Sequence, residues 1–453
     1  MRGIDWTRGI AWLAAASGIA MAASGCTAIT GSNPDDIEVG MVVSLTGRFS
    51  TRGRNLQDAV RVAEWQINQL GVLDGRHIRF RIVDDGSTPE QALSGVIGLL
   101  NDNPAGILGP GTSSQVAAVQ DTIYKRKVVE LSATATSTTL STAQPPRDRY
   151  FFRTAPSDEL QGRALAKLVH DGVSGSAGLL GGGCSRASFV ASEDVYAKPL
   201  HDIVATNFMA RPGTSMVTDD IIPFALMNEY RALAAKIVAA RPQCIVLVTY
   251  PDTGAQVLFD LKTAMSADTS GFDWSSVLIA GVDAQYNPSF ISLGQSDPGD
   301  DTSPNATENV FGTAPDSTPA TPDYGTFLSL WHQKLPALDP QPFAANQYDA
   351  AILLALAIEQ AGSATDGAAI RDALYAVTRP GGAPVGPGQF VDGINTIRQR
   401  RQISYRGASG NCVFDELGNV QDDYVVWRVE KQRGGWFEFV SKAKVMAADL
   451  GGG

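Results

Sequence analysis

From residue 37 onward the chain repeats one unit, a short apolar run followed by an amphipathic stretch, and this alternation constrains the fold more than any other feature. Residues 37–45 read as a buried strand, and residues 55–70 as a helix with Leu56, Val60, Ala63 and Ile67 on one face. Residues 77–83 alternate like a strand, and 89–100 form a helix with Pro89 in its first turn. A strand at 105–108, a helix at 113–124 and a strand at 128–131 follow. The pattern then restarts: helix 160–170, a strand beginning at 178–180, helix 195–209, helix 228–240, strand 244–250, helix 253–264 and strand 277–280. Strands alternating with helices of roughly 10–15 residues are the signature of βαβ units and parallel sheets. Two successive runs predict an α/β protein with two Rossmann-like lobes, each a parallel sheet flanked by helices. Residues 295–322, rich in Asp, Ser, Thr and Pro, read as a loop, and 380–388 as a Pro/Gly hinge. A long helix at 348–362 ends on Gly362, and residues 413–414, 424–429 and 436–440 read as terminal strands, the last two paired.

Composition narrows the function by exclusion. The 453 residues carry 36 Lys and Arg against 47 Asp and Glu, a net charge of −11, which disfavours a phosphate-backbone partner. At 44% hydrophobic and 18% charged, the chain is globular, with length for two or three domains. Four cysteines without a Cys-x-x-Cys pair and only four histidines predict neither a metal nor a cofactor. Cys184, Cys244 and Cys412 can include one disulfide or stay as three buried thiols.

In a doubly wound sheet the loops beyond the carboxyl ends of strands hold the ligand. Gly109-Pro110-Gly111-Thr112-Ser113-Ser114 follows one such strand and opens a helix, so its free N–H groups and hydroxyls suit a carboxylate or phosphate, unless Ser113 merely caps the helix. The hydroxyl-rich run from Ser132 to Thr139 follows the next strand, where it would lie beside Ser113. Gly181-Gly182-Gly183-Cys184-Ser185-Arg186, read as following a strand, fails the dinucleotide fingerprint because Arg186 replaces its third glycine. The sequence contains no Gly-x-Ser-x-Gly, no Gly-Lys-Ser/Thr and no His-Glu-x-x-His. Asp84-Asp85 reads as a strand end entering a turn rather than as a metal site.

The first 25 residues have a charged start (Arg2, Arg8), an apolar run and the ending Ala23-Ser24-Gly25-Cys26. The ending resembles the lipobox of bacterial lipoproteins, in which Cys26 would be acylated and residues 26–36 would be a tether. An ordinary secretory signal with an incidental Cys is the alternative.

Taken together, Val42-Val43-Ser44-Leu45-Thr46-Gly47, Asp84 to Ala92, Gly109 to Ser114, Phe152 to Asp158, Gly407 to Gly410 and Phe414 to Gly418 resemble, in order and spacing, the branched-chain amino-acid-type (Leu/Ile/Val-binding-like) periplasmic solute-binding proteins of the type I fold. The resemblance implies two lobes joined by three crossovers near 155–157, 313–315 and 411–413. Lobe 1 would be residues 37–156 plus 316–411, and lobe 2 residues 157–315 plus 412–450. It also implies a set of binding residues. Ser113 and Thr136 would hold a ligand carboxylate, and the Thr134 backbone carbonyl would receive the ammonium, with Ala135 between them in the binding set. Tyr196 and Tyr250 would close over the ligand, and Asp283 would pair with the ammonium. Arg52 stands where the family usually carries an aromatic; it either faces solvent or, pointing inward, favours an acidic or polar ligand over leucine.

The expectation is therefore an exported, lipid-anchored, monomeric solute-binding component of an ABC importer. It would take an amino acid or similar amphipathic ligand to membrane permease subunits and have no catalytic chemistry. A sensory ligand-binding subunit for a membrane receptor is the alternative, and an exported hydrolase using Cys184 or a strand-end serine the remote one.

Overall fold

The computed structural model describes residues 35–172 and 183–450. The leader, Cys26, the tether up to Pro34 and the strand expected at 178–180 lie outside the described residues.

The first run of the chain forms β1 (Ile37–Val43), α1 (Ser50–Ile67), β2 (Ile78–Asp84), α2 (Pro89–Leu100), β3 (Ile107–Leu108), α3 (Ser113–Arg126), β4 (Glu130–Ser132), α4 (Thr138–Thr142) and β5 (Phe151–Arg153). The five strands make one parallel sheet in the order β2-β1-β3-β4-β5. Its central strands are buried, as their continuous apolar runs require of a sheet covered on both faces. Local chemistry sets the helix starts: the Thr88 and Thr112 side chains accept from the Gln91 and Gln115 N–H groups, so the cap of α3 is Thr112 and Ser113 is free for another role.

The second run forms α5 (Asp158–Asp171), β6 (Arg186–Glu193), α6 (Ala197–Met209), β7 (Ser215–Pro223), α7 (Arg231–Ala240), β8 (Cys244–Val248), α8 (Pro251–Ala267), β9 (Leu278–Gly281), α9 (Pro288–Leu293) and β10 (Phe311–Pro315). The chain then returns through α10 (Pro322–Lys334), α11 (Ala344–Ala361), α12 (Gly367–Thr378), β11 (Ala383–Val385), α13 (Phe390–Arg398) and β12 (Ile403–Tyr405). Here Phe327, Trp331, Tyr348, Ile370 and Phe390 share one core with Val39 and Leu56 of the first sheet. Finally β13 (Tyr424–Lys431) and β14 (Phe437–Val445) complete the second sheet, β14-β13-β10-β9-β8-β6-β7, where β13 runs antiparallel to both its neighbours. The chain thus passes between the sheets three times. Helix α11 stops at Gly362 with φ +65°, a left-handed conformation that glycine adopts without penalty.

Several expectations are corrected. Gly183 and Cys184 lead into β6, while Gly181 and Gly182, like the strand expected before them, lie outside the described residues. Strands β6 and β7 were hidden because Ser188, Ser192, Asp219 and Asp220 break their apolar patterns. Within the expected loop 295–322, residues Phe311–Pro315 form β10 between β9 and β13, a short apolar run masked by polar flanks. The stretch 380–388 holds β11, paired with β12, rather than a hinge. Residues 413–414 form no strand; Cys412, Phe414 and Val420 pack into the first core, so the third passage falls after Val420 rather than near 411–413. Cys184 and Cys244 form a disulfide at the start of adjacent β6 and β8, and Cys412 is a buried free thiol.

Candidate ligand cleft between the two sheets

A pocket lies where the carboxyl ends of both sets of parallel strands face each other, the position that open α/β sheets use for ligands. It holds about 620 Å³ of empty space, including the open solvent at its mouth. From the first sheet come Ser44, Arg48, Phe49 and Arg52 after β1, Thr112 and Ser113 after β3, and Thr134 after β4. From the second come Tyr196 after β6, Tyr250 after β8 and Asp283 after β9. Six of the sequence-predicted residues, Arg52, Ser113, Thr134, Tyr196, Tyr250 and Asp283, therefore meet in one pocket. Ala135 and Thr136 do not line it. Both are buried, and the Thr136 carbonyl accepts from the Asp158 N–H.

The first wall is built on backbone and hydroxyl groups. Ser113 Oγ accepts from the Ser137 N–H at 3.2 Å, and Thr134 Oγ1 donates to the Gly111 carbonyl at 2.5 Å. Behind them Arg153, fully buried on β5, donates to the carbonyls of Ala135 and Ser137, to Ser141 Oγ and to Asn419 Oδ1. Burial lowers its pKa to about 10, still a cation at neutral pH. One guanidinium thus fixes the hydroxyl-rich loop. Close approach matters at Gly53 of α1, where any side chain would run into the Ser44 carbonyl and push the helix out of the wall.

The second wall is aromatic and acidic. Tyr196 OH donates to Asp283 Oδ1 at 2.5 Å, and Tyr250 OH donates to Asp194 Oδ2 at 2.6 Å. Gln285 pins the Asp283 turn by accepting from the Val282 N–H and donating to Thr249 Oγ1. Burial raises the Asp283 carboxyl above its usual range, opposed by the Tyr196 hydroxyl and the charge of Arg52. Asp158, at the start of α5, is held well above the usual range by burial and then by repulsion from Asp283. Burial likewise raises both tyrosine hydroxyls well above the usual range, so they stay protonated donors.

Four sets of contacts cross the cleft. Arg48 pairs with Asp252 at 2.6 Å and donates to the Phe224 carbonyl, while its guanidinium lies over Phe224, Tyr250 and Phe49. Ser114 Oγ donates to Asp194 Oδ2, and Ser137 Oγ to the Val195 carbonyl. Arg52 points inward, donating to the carbonyls of Asp283 and Ala284. Sequence reasoning missed Arg48, Asp194 and the roles of Asp158 and Arg153. Arg48 follows Gly47 in the loop after β1, so a residue-by-residue reading of strand-end loops had the signal for it. Asp84, by contrast, accepts from the N–H groups of Leu45, Thr46 and Gly86, the turn reading expected for it.

Two Rossmann-like units joined by three passages, with a small cleft at facing strand ends, define the type I periplasmic binding protein fold. A family model described as periplasmic binding protein matches residues 36–400, and the chain belongs to that family. It is similar to the Leu/Ile/Val-binding protein BraC3 of Rhizobium johnstonii, 26% identical over 342 residues, covering 75% of this chain and 83% of the relative. Among solved structures it resembles the branched-chain amino acid transporter substrate-binding protein LivJ of Streptococcus pneumoniae in complex with isoleucine (TM-score 0.67, 20% identity, 90% of this chain and 100% of that one). It also resembles an ABC-transporter solute-binding protein of Rhodopseudomonas palustris BisB5 in complex with 3,4-dihydroxybenzoic acid (TM-score 0.65, 17% identity, 91% and 98%).

Proposed function

We propose that the chain is the extracytoplasmic solute-binding component of an ABC importer, clamping one small ligand between two lobes. The carrying observation is the pocket itself, lined from both sheets by hydroxyls on one side and by aromatic rings and a carboxyl on the other. The lobes are residues 37–156 with 316–411 and residues 157–315 with 412–450, amended so that 412–420 travel with the first. Closure stabilises the complex because the ligand touches both lobes only when they meet. Ser113, with the loop at Thr134, Ala135 and Thr136 behind it, receives a ligand carboxylate; Asp283 receives an ammonium where the ligand has one; Tyr196 and Tyr250 wall off water. The ligand class is supported by the isoleucine and 3,4-dihydroxybenzoic acid complexes of the structural relatives. The lipobox-like ending at Cys26 supports a lipid anchor that keeps the monomer beside its permease, with no enzymatic step of its own.

Calorimetry against amino acids and small organic acids tests this reading. Binding should weaken by roughly 10-fold or more in both Ser113→Ala and Asp283→Ala, the size of a lost hydrogen bond to a charged group. Binding that survives both changes contradicts it. Palmitate labelling that persists in Cys26→Ala would contradict the anchor.

A further inference from the structure

Arg48, in the loop after β1, and Arg52, in the first turn of α1, both reach into the cleft, but only one meets a carboxylate directly. Arg48 meets the Asp252 carboxylate, a carbonyl, a hydroxyl and three ring faces. Arg52 is held by two neutral acceptors, the carbonyls of Asp283 at 3.2 Å and Ala284 at 3.4 Å, and by the ring of Phe343, 4.8 Å from its carbon centre. Asp283 acts on it through space, while that carboxylate's Oδ1 is engaged by Tyr196. A guanidinium offers five N–H donors in a fork matched to a carboxylate. In Arg52 only one nitrogen is used, at distances longer than charge-assisted bonds favour. It shares the pocket lining with Val43, Phe49 and Leu56, and burial disfavours its charged form, so an anion placed beside it is welcome.

Resting on the cleft reading above, we infer that Arg52 determines specificity by pairing with a ligand carboxylate on the α1 side, so that the solute is a small acid rather than a branched-chain amino acid. Two sources share this chemistry: an aromatic carboxylate, whose single carboxylate would sit at Arg52 instead of Ser113, and an acidic amino acid, whose side-chain carboxylate would pair with Arg52 while Ser113 holds the other. The anion takes the fork from the two carbonyls.

The test is calorimetry of the whole exported chain with 4-hydroxybenzoate, 4-hydroxybenzamide, glutamate, glutamine and leucine, in the native protein, Arg52→Met and Arg52→Lys. Circular dichroism melting checks that each variant folds. The native protein should prefer one acid over its own amide by roughly 10-fold or more, and over leucine. Arg52→Met should erase that preference, and Arg52→Lys should keep part of it. The acid preferred identifies the source. Leucine bound best, or an acid bound equally in Arg52→Met, overturns the inference. If that binding is still lost in Ser113→Ala and Asp283→Ala, the cleft reading stands without it. Binding indifferent to all three positions overturns both.

Discussion

The two walls of the cleft follow opposite plans. The first presents neutral hydroxyls and backbone groups already bonded to their own chain, with one buried cation, Arg153, holding the loop from behind. The second presents rings and carboxyls whose ionisation burial has displaced. A wall of satisfied dipoles is rigid and nearly indifferent to pH. A wall of displaced acids disfavours its own negative charge, and a positive group placed against it relieves that. Shape is therefore set by the first sheet, and selection by charge falls to the second together with Arg48 after β1 and Arg52 of α1.

The largest expected effect comes from breaking the first wall. Arg153→Met strands the carbonyls of Ala135 and Ser137 and should cost on the order of 3 kcal/mol or more in urea unfolding, with cleft binding lost as well. A stability change below about 1 kcal/mol would show that the loop does not depend on that guanidinium. Next comes the base of the second wall. The disulfide closes a 60-residue separation, so the Cys184→Ser/Cys244→Ser double variant should be less stable than the native protein by about 2–4 kcal/mol. Because the bond lies at the opposite ends of β6 and β8 from Tyr196 and Tyr250, affinity should change little. Loss of binding with retained fold would place the disulfide in the site's support.

The smallest effect sharpens the contrast from its exception. Glu130 on β4 is a fully buried carboxyl in the first sheet, and burial pushes it well above its ordinary value of 4.5. Its folded state favours the protonated form. This contribution is complete below the ordinary value and is lost as pH rises through the folded one. Glu130→Gln should flatten the decline in stability between pH 5 and pH 8, seen by urea titration at both. An unchanged slope would mean that the carboxyl is ionised in place.

These elements also show what the sequence could and could not reveal. Strands β1 and β8, buried on both faces, were legible as apolar runs, and α2 was legible from Thr88 and Pro89. β10 and β11 were not, because three to five residues between prolines and aspartates carry no periodicity and gain their place only from neighbours already in the sheet. In the site, Ser113 was legible from its strand-end loop, whereas Tyr196, Tyr250 and Asp283 were legible only through the family resemblance. Arg153 and Asp158 were quoted within a motif without a role. Their function depends on burial and on partners distant in the chain, Asn419 and Asp283, which spacing cannot display.

The central claim, one small ligand held between unlike walls, is tested most directly by a crystal structure with the tightest ligand found by calorimetry. The account predicts density between Ser113 on one side and Tyr196, Tyr250 and Asp283 on the other, with Arg52 turned from the two carbonyls toward the ligand. Ligand bound outside that cleft, or touching residues of only one sheet, would contradict it.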